Sequence, residues 1–365
     1  MPIVPRSTSP RSGPASLPAP APSEWGRRLS DRLRAALDAG DLGTARRLAL
    51  EGDGQARSLE KEYVLMYRGL GITIRVLLRL VGERPARAGL VPLLRRFRGD
   101  MLVLMDGAFA SPESRRVIDD LRGGAAAPPA GAPPAELDRT ERLLGAAEAC
   151  FVAEQSLRAR EALAATEAGA APRARAAVDD KEQRQYVPLH DRLIRFMADV
   201  FGYVLREFGP AELLRFHRET AEGQRPGFEK WEQMSAAEFA RASAFLLKQH
   251  MGQVEVREDA ERFTIEQAPC GSGGRLRLAG AYAGRDALAY VEEPGPLTLG
   301  QARFPVYCSH CPVWNGVAPV EWFGRPHWVF DEPARPDGSC TLHVYKRRDG
   351  APAAYLARLS SPART

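Results

Sequence analysis

Residues 235–274 read SAAEFARASAFLLKQHMGQVEVREDAERFTIEQAPCGSGG, and within them the apolar period changes once, from about 3.6 residues to 2. Ser235 and Glu238 form a capping box ahead of a helix carrying Phe239, Ala242, Phe245 and Leu246. VEVRE (254–258) and RFTIEQA (262–268) then alternate as strands, with 259–261 as the turn of a hairpin. HWVFD (327–331) and TLHVYK (341–346) read as two further strands. Helices followed by a small antiparallel sheet predict an α+β fold: an all-helical N-terminal region, then a C-terminal domain of helices packed on that sheet.

Upstream, His190, Leu193, Met197, Val200, Phe201, Val204 and Phe208 mark a helix ending before Gly209-Pro210. Leu29, Leu33 and Leu37 start the helical region, and Leu59 to Val81 reads as one long amphipathic helix. In that helix Gly69 and Gly71 imply close approach of a neighbouring helix. Further helices are expected over about 89–109 and from Pro112, which follows Ser111 as cap. The Pro- and Ala-rich stretch 122–136 reads as a linker and the Pro-rich residues 1–24 as a disordered tail. The expected organisation is therefore a tail (1–24), a helical domain (25–121), a linker (122–136), a helix and connector (137–185) and an α+β cysteine-rich domain (186–350). The Ala-rich residues 164–184 fit either a helix end or a connector.

Composition narrows the function classes. The 365 residues carry 51 basic and 46 acidic side chains, a balance too even for a nucleic-acid binder. No export signal or apolar span of about 20 residues is evident, so the expected location is the cytoplasm, with no membrane partner. The abundance of Ala, Arg, Gly and Pro points to a bacterial source. The expected partner is a small-molecule substrate or ligand, with homo-oligomerisation through the N-terminal helices as a further expectation.

Chemistry concentrates near the C-terminus. Cys270, Cys308, Cys311 and Cys340 are four of the five cysteines, and Cys308-Ser-His-Cys311 has the spacing with which two thiolates grip one metal ion. These four are the candidate zinc ligands. A metal-free catalytic thiol and plain burial are the competing readings. His310, inside the Cys-x-x-Cys, is a candidate ligand or proton carrier. Glu321, between Val320 and Trp322, is the carboxylate expected to be buried and to act as an acid or base. His190 with Asp191, and His250 at a helix end, are the other histidines of interest. His343 should face away from Cys340, three residues earlier in the same strand. Trp314, Trp322, Phe323 and Trp328 are expected to wall a pocket. The CGSGG run (270–274) lets the backbone turn and resembles an anion-binding nest.

Four segments carry a resemblance: Pro269 to Leu276 (PCGSGGRL), Tyr307 to Cys311 (YCSHC), Glu321 to Pro326 (EW-x-G-x-P) and Cys340 to Lys346. Together they resemble a bacterial cysteine-rich family. More distantly, they are similar to L-2-amino-thiazoline-4-carboxylic acid hydrolase-like and 4-vinyl reductase-type domains, which share spaced cysteines and a closing strand like Asp337-Gly-Ser-Cys340. The resulting expectation is a zinc-dependent enzyme of small-molecule metabolism that hydrolyses a C–N or C–S bond. Glu321 or His310 would move protons there, beside an open coordination position where a water is activated. The alternative is a non-catalytic ligand-binding or scaffold protein with a structural four-cysteine zinc.

Overall fold

The chain is described here by a computed structural model covering residues 21–52, 58–85, 88–123, 133–331 and 333–360. Most of the expected tail, and residues 124–132 of the expected linker, lie outside these residues. Leu29, Leu33 and Leu37 form the buried face of α1 (Leu29–Asp38). The Asp41 carboxylate then caps α2 (Leu42–Glu51), accepting from the Thr44 amide at 2.9 Å. α3 (Val64–Gly82) begins later than the run from Leu59 suggests, because Tyr63 adopts a left-handed φ of 71° that breaks the helix. α4 (Leu90–Ala108) and α5 (Pro112–Gly123) follow, the latter capped by Ser111 Oγ accepting from the Ser114 amide.

α6 (Pro133–Glu167) is the longest helix described, so 133–136 are helix rather than linker. The Ala-rich segment is helical too: α7 (Ala171–Asp179) passes through a π-helical stretch, Asp180–Tyr186, into α8 (Val187–Phe208). Then come α9 (Pro210–Glu222), α10 (Arg225–Glu232) and α11 (Ala236–Gln249), the last opened by the expected capping box. β1 (Val254–Glu258) and β2 (Arg262–Gln267) form the expected hairpin, and α12 (Gly273–Leu278) follows it. After the short pair β3 (Tyr290–Val291) and β4 (Phe304–Pro305) come β5 (Val329–Asp331) and β6 (Cys340–Tyr345). The main sheet is antiparallel in the order β1-β2-β6-β5, with Gln267 opposite Cys340. The fold is α+β as the change of period implies. None of the described helices is long and apolar enough to cross a membrane.

The expected division into a helical domain and a separate α+β domain is not reflected in the core. One continuous apolar cluster runs from Trp25 through α3, α4 and α6 into α8, the sheet and Leu359. α8 is the reason. It buries Leu189, Leu193, Phe196, Met197, Val200 and Phe201 around most of its circumference, so it must be covered by helices on one side and the cysteine-rich segment on the other. Phe97 of α4 stacks on Phe196 at 3.8 Å, and Tyr63 stacks on Tyr186 at 4.2 Å. Residues 21–24 are ordered as well. Trp25 packs on Phe263 of β2 with ring centroids 5.6 Å apart, which holds the start of the described chain against the sheet.

A buried polar cluster locks α1 to the π-helical stretch. The Glu182 carboxylate accepts from Ser30 Oγ (2.8 Å), from Arg34 (3.2 Å) and from the Tyr63 hydroxyl. Burial alone would raise the Glu182 carboxyl, but Arg28 and Arg34, with those hydroxyls, hold it down at about 2.

Two outcomes follow from this packing. Phe97→Ala should cost about 3–5 kcal/mol. In a guanidinium melt followed by tryptophan fluorescence, it should shift one shared transition rather than the earlier of two. A Glu held at about 2 when folded contributes stability that is complete above its unfolded value. That contribution is lost as pH falls from about 4.3 toward about 2. Urea melts over that range should show the loss in the native chain and a shallower one in Glu182→Gln.

Candidate functional site

Four thiols reach one cavity from three short segments. Cys270 leaves the end of β2, and its amide donates to the Gly338 carbonyl at 2.9 Å, fastening it to the turn that opens β6. Cys340 is the first residue of β6, placed there by its pairing with Gln267. Cys308 lies in a single 3₁₀ turn, Val306–Ser309, and Cys311 in the helical turn His310–Pro312 that follows. All four line a cavity of about 310 Å³ with His250 and His310. Trp231, Trp314 and Trp328 form its aromatic wall, and Met66, Gly69, Leu70 and Thr73 of α3 close it from the N-terminal side.

The glycines of 270–274 serve close approach rather than an unusual turn. A Cβ on Gly271 would lie 2.0 Å from the His250 carbonyl oxygen, and one on Gly274 would lie 2.1 Å from that of Gly338. A Cβ on Gly273 would lie 2.7 Å from Cys308 Sγ. The loop therefore threads between the end of α11, the turn before β6 and the Cys308 turn. Gly69, by contrast, faces the cavity with no heavy atom within 4 Å of its would-be Cβ, so it does not mark a helix contact.

The electrostatics ties the thiols together. Burial pushes the Cys308 thiol up to about 11, against the pull of Arg277, whose Nη1 donates to Sγ at 3.2 Å. Burial raises Cys311 strongly, and the neighbouring Cys308, Cys340 and Cys270 raise it further. Cys340 is raised by burial and then by Cys270 and Cys308. Each of these thiols is thus disfavoured as an isolated thiolate. Burial also lowers His310 to about 4, and its Nδ1 lies 2.5 Å from the Tyr307 carbonyl oxygen, leaving Nε2 3.5 Å from Cys311 Sγ.

Of the site residues expected from sequence, Cys270, Cys308, Cys311, Cys340 and His310 share this cavity; Glu321 does not. Its side chain is half-exposed and accepts from Arg218 at 2.7 Å, so the expectation of a buried acid–base carboxylate is corrected. The helix Ala318–Phe323 turns Glu321 outward while burying Ala318 and Pro319. Trp322 also leaves the wall, packing on Phe228, and Phe323 stacks on His327. His343 faces away from Cys340 as alternation requires, hydrogen-bonding Thr264 and lying 3.6 Å from Asp331 on the other side of the sheet. Arg277, Trp231 and the α3 residues were missed. Arg277 carries no sequence signal beyond lying seven residues after Cys270, and α3 is some 200 residues away.

The fit to zinc divides. The donor set suits a soft divalent ion, because buried thiols that raise one another ionise together only beside a cation. Among the described residues, however, no group of three or more His, Cys, Asp or Glu side chains is arranged to hold a metal ion. No protein-family model matches the chain, and no curated protein or solved structure is significantly similar to it.

The glycine contacts set a direct check. Gly274→Ala should destabilise by about 1–3 kcal/mol or more, because its neighbour is backbone and cannot yield. Gly273→Ala should cost less stability but displace Cys308, read as a faster reaction of that thiol with iodoacetamide. Equal melting of Gly274→Ala and native protein would contradict the packing described.

Proposed function

We propose that the protein is an enzyme of small-molecule metabolism whose cavity carries a zinc-binding thiol cluster formed by Cys270, Cys308, Cys311 and Cys340. The observation that carries this reading is their convergence, from three separate segments, on one mostly apolar cavity of a size that admits a small ligand. Bound there, zinc would supply Lewis acidity and a lowered pKa for a coordinated water. The chain's own part is to exclude bulk water with Trp231, Trp314 and Trp328 and to hold Cys308 beside Arg277. Hydrolysis of a C–N or C–S bond rests on the resemblance of the four segments, three of them cysteine-bearing, to the hydrolase-like domains. Among the described residues the cavity lining includes no Asp or Glu, so we assign proton transfer to imidazole rather than to Glu321.

A second reading, a ligand-binding protein whose four thiolates hold a structural zinc, is favoured by that predominantly apolar lining. Coordination separates the two: a closed four-thiolate shell supports the binding protein, and an exchangeable position supports the enzyme.

Protein purified without added metal should carry about one zinc per chain, with thiols masked until chelation. Cys308→Ser and Cys311→Ser should each lose metal and thermal stability together, since binding energy at such a site is also folding energy. Cys150→Ser should retain its metal, because that thiol lies on α6, outside the cavity lining. Four freely reactive thiols and no metal would eliminate both zinc readings.

A further inference from the structure

A second constellation opens onto the same cavity. His190, fully buried in the first turn of α8, bridges two partners. Its Nδ1 lies 2.9 Å from Asp191 Oδ1, and its Nε2 lies 2.9 Å from Nδ1 of His250. Asp191 is held in turn by Arg275 of α12, whose Nη2 and Nε donate to its two oxygens at 2.5 and 3.2 Å. His250 is the residue that ends α11, and it lines the cavity.

The direction of this chain follows from donor and acceptor counting. A carboxylate only accepts, so His190 carries a proton on Nδ1, and as an uncharged ring it offers a lone pair at Nε2. That lone pair must be met by a donor, so His250 carries its proton on Nδ1. Its Nε2 is then left unprotonated, on a ring that faces the cavity and with no hydrogen-bond partner for Nε2 among the described residues. Burial favours the uncharged ring: His250 is lowered well below the usual histidine range by desolvation, and further by His190 and His310. Burial works against the Asp191 charge, but hydrogen bonds from His190 and Arg275 hold its carboxyl below the usual range. The other cavity imidazole is already engaged, His310 pointing Nδ1 at the Tyr307 carbonyl and Nε2 at Cys311.

We propose that His250 is the proton acceptor of the cavity, its Nε2 kept bare by Asp191 acting through His190, and that the site takes an uncharged, largely apolar molecule presenting one acidic N–H, O–H or S–H to that nitrogen. This rests on the reading of the cavity as a small-molecule site. In the transfer, the ligand's heteroatom–hydrogen bond breaks and the Nε2–H bond forms. The electron pair stays on the ligand, and the imidazolium charge is balanced through His190 by Asp191. Asp191 and His190 are positioning residues, because neither lines the cavity.

The test uses the full chain, both metal-stripped and zinc-loaded. Long-range proton–nitrogen NMR of the histidine rings should show His250 as the neutral Nδ1–H tautomer. Asp191→Asn, nearly isosteric, should turn its amide NH₂ toward His190 while its oxygen stays on Arg275, reversing both rings so that His250 carries hydrogen on Nε2. Diethyl pyrocarbonate, a small acylating agent for bare imidazole nitrogen, should modify His250 at least about tenfold faster than His190, and Asp191→Asn should lose about that factor. An Nε2–H tautomer in the native chain, an Asp191→Asn variant with unchanged tautomer, or equal acylation of His190 and His250 would each overturn the proposal. The tautomer is read without metal, so failure of the zinc reading leaves this result standing, and failure here leaves the metal count unaffected.

Discussion

The approach of backbone to backbone at residues 271–274 is the constraint from which the rest of the site follows. Gly271 lies against the carbonyl that ends α11, and Gly274 against the carbonyl of Gly338. No side chain fits at either place, so the loop is clamped between a helix end and the entry to β6. That clamp sets Cys270 beside Cys340, puts Gly273 under Cys308 Sγ, and brings the start of α12 close enough for Arg275 to reach Asp191. Cysteine cluster and histidine chain are therefore two consequences of one loop.

The clamp acts only because α8 supplies a common floor. Buried around most of its surface, α8 accepts α3 and α4 on one side and the Cys308–Val317 segment on the other. The cavity forms where these layers fail to fill the space between α3, α10 and the sheet. Its electrostatic character follows from that burial. Thiols without bulk water resist ionisation and resist it more because they are neighbours, so Cys311 and Cys340 are disfavoured as free thiolates. A carboxylate in the same place would face the same penalty, which agrees with Glu321 lying outside, paired with Arg218.

Local pattern was legible wherever one residue type does one job. The capping box at Ser235, the hairpin at 254–267, the Ser111 cap and the opposite facing of Cys340 and His343 are all readable because helix and strand periods are set by backbone geometry. The boundary at 122–136 was misread for an equally local reason. Pro and Ala in a loop and Pro and Ala in a first helical turn look alike, and α6 begins inside the stretch. The glycines after Cys270 were recognised as special, but whether a glycine serves a turn or a contact is not written in its neighbours.

The sequence by itself determined the α+β class, most of the elements and the set of thiols from which a site can be made. These depend on spacing along the chain, which propensity and periodicity report directly. Only the tertiary structure decided that α3 walls the cavity, that Glu321 is turned out of it and that Arg277 meets Cys308. It alone decided that His190, sixty residues from His250, joins that ring to Asp191. Those relations cross the chain at long range, and which buried face meets which is chosen by packing complementarity that no single segment encodes.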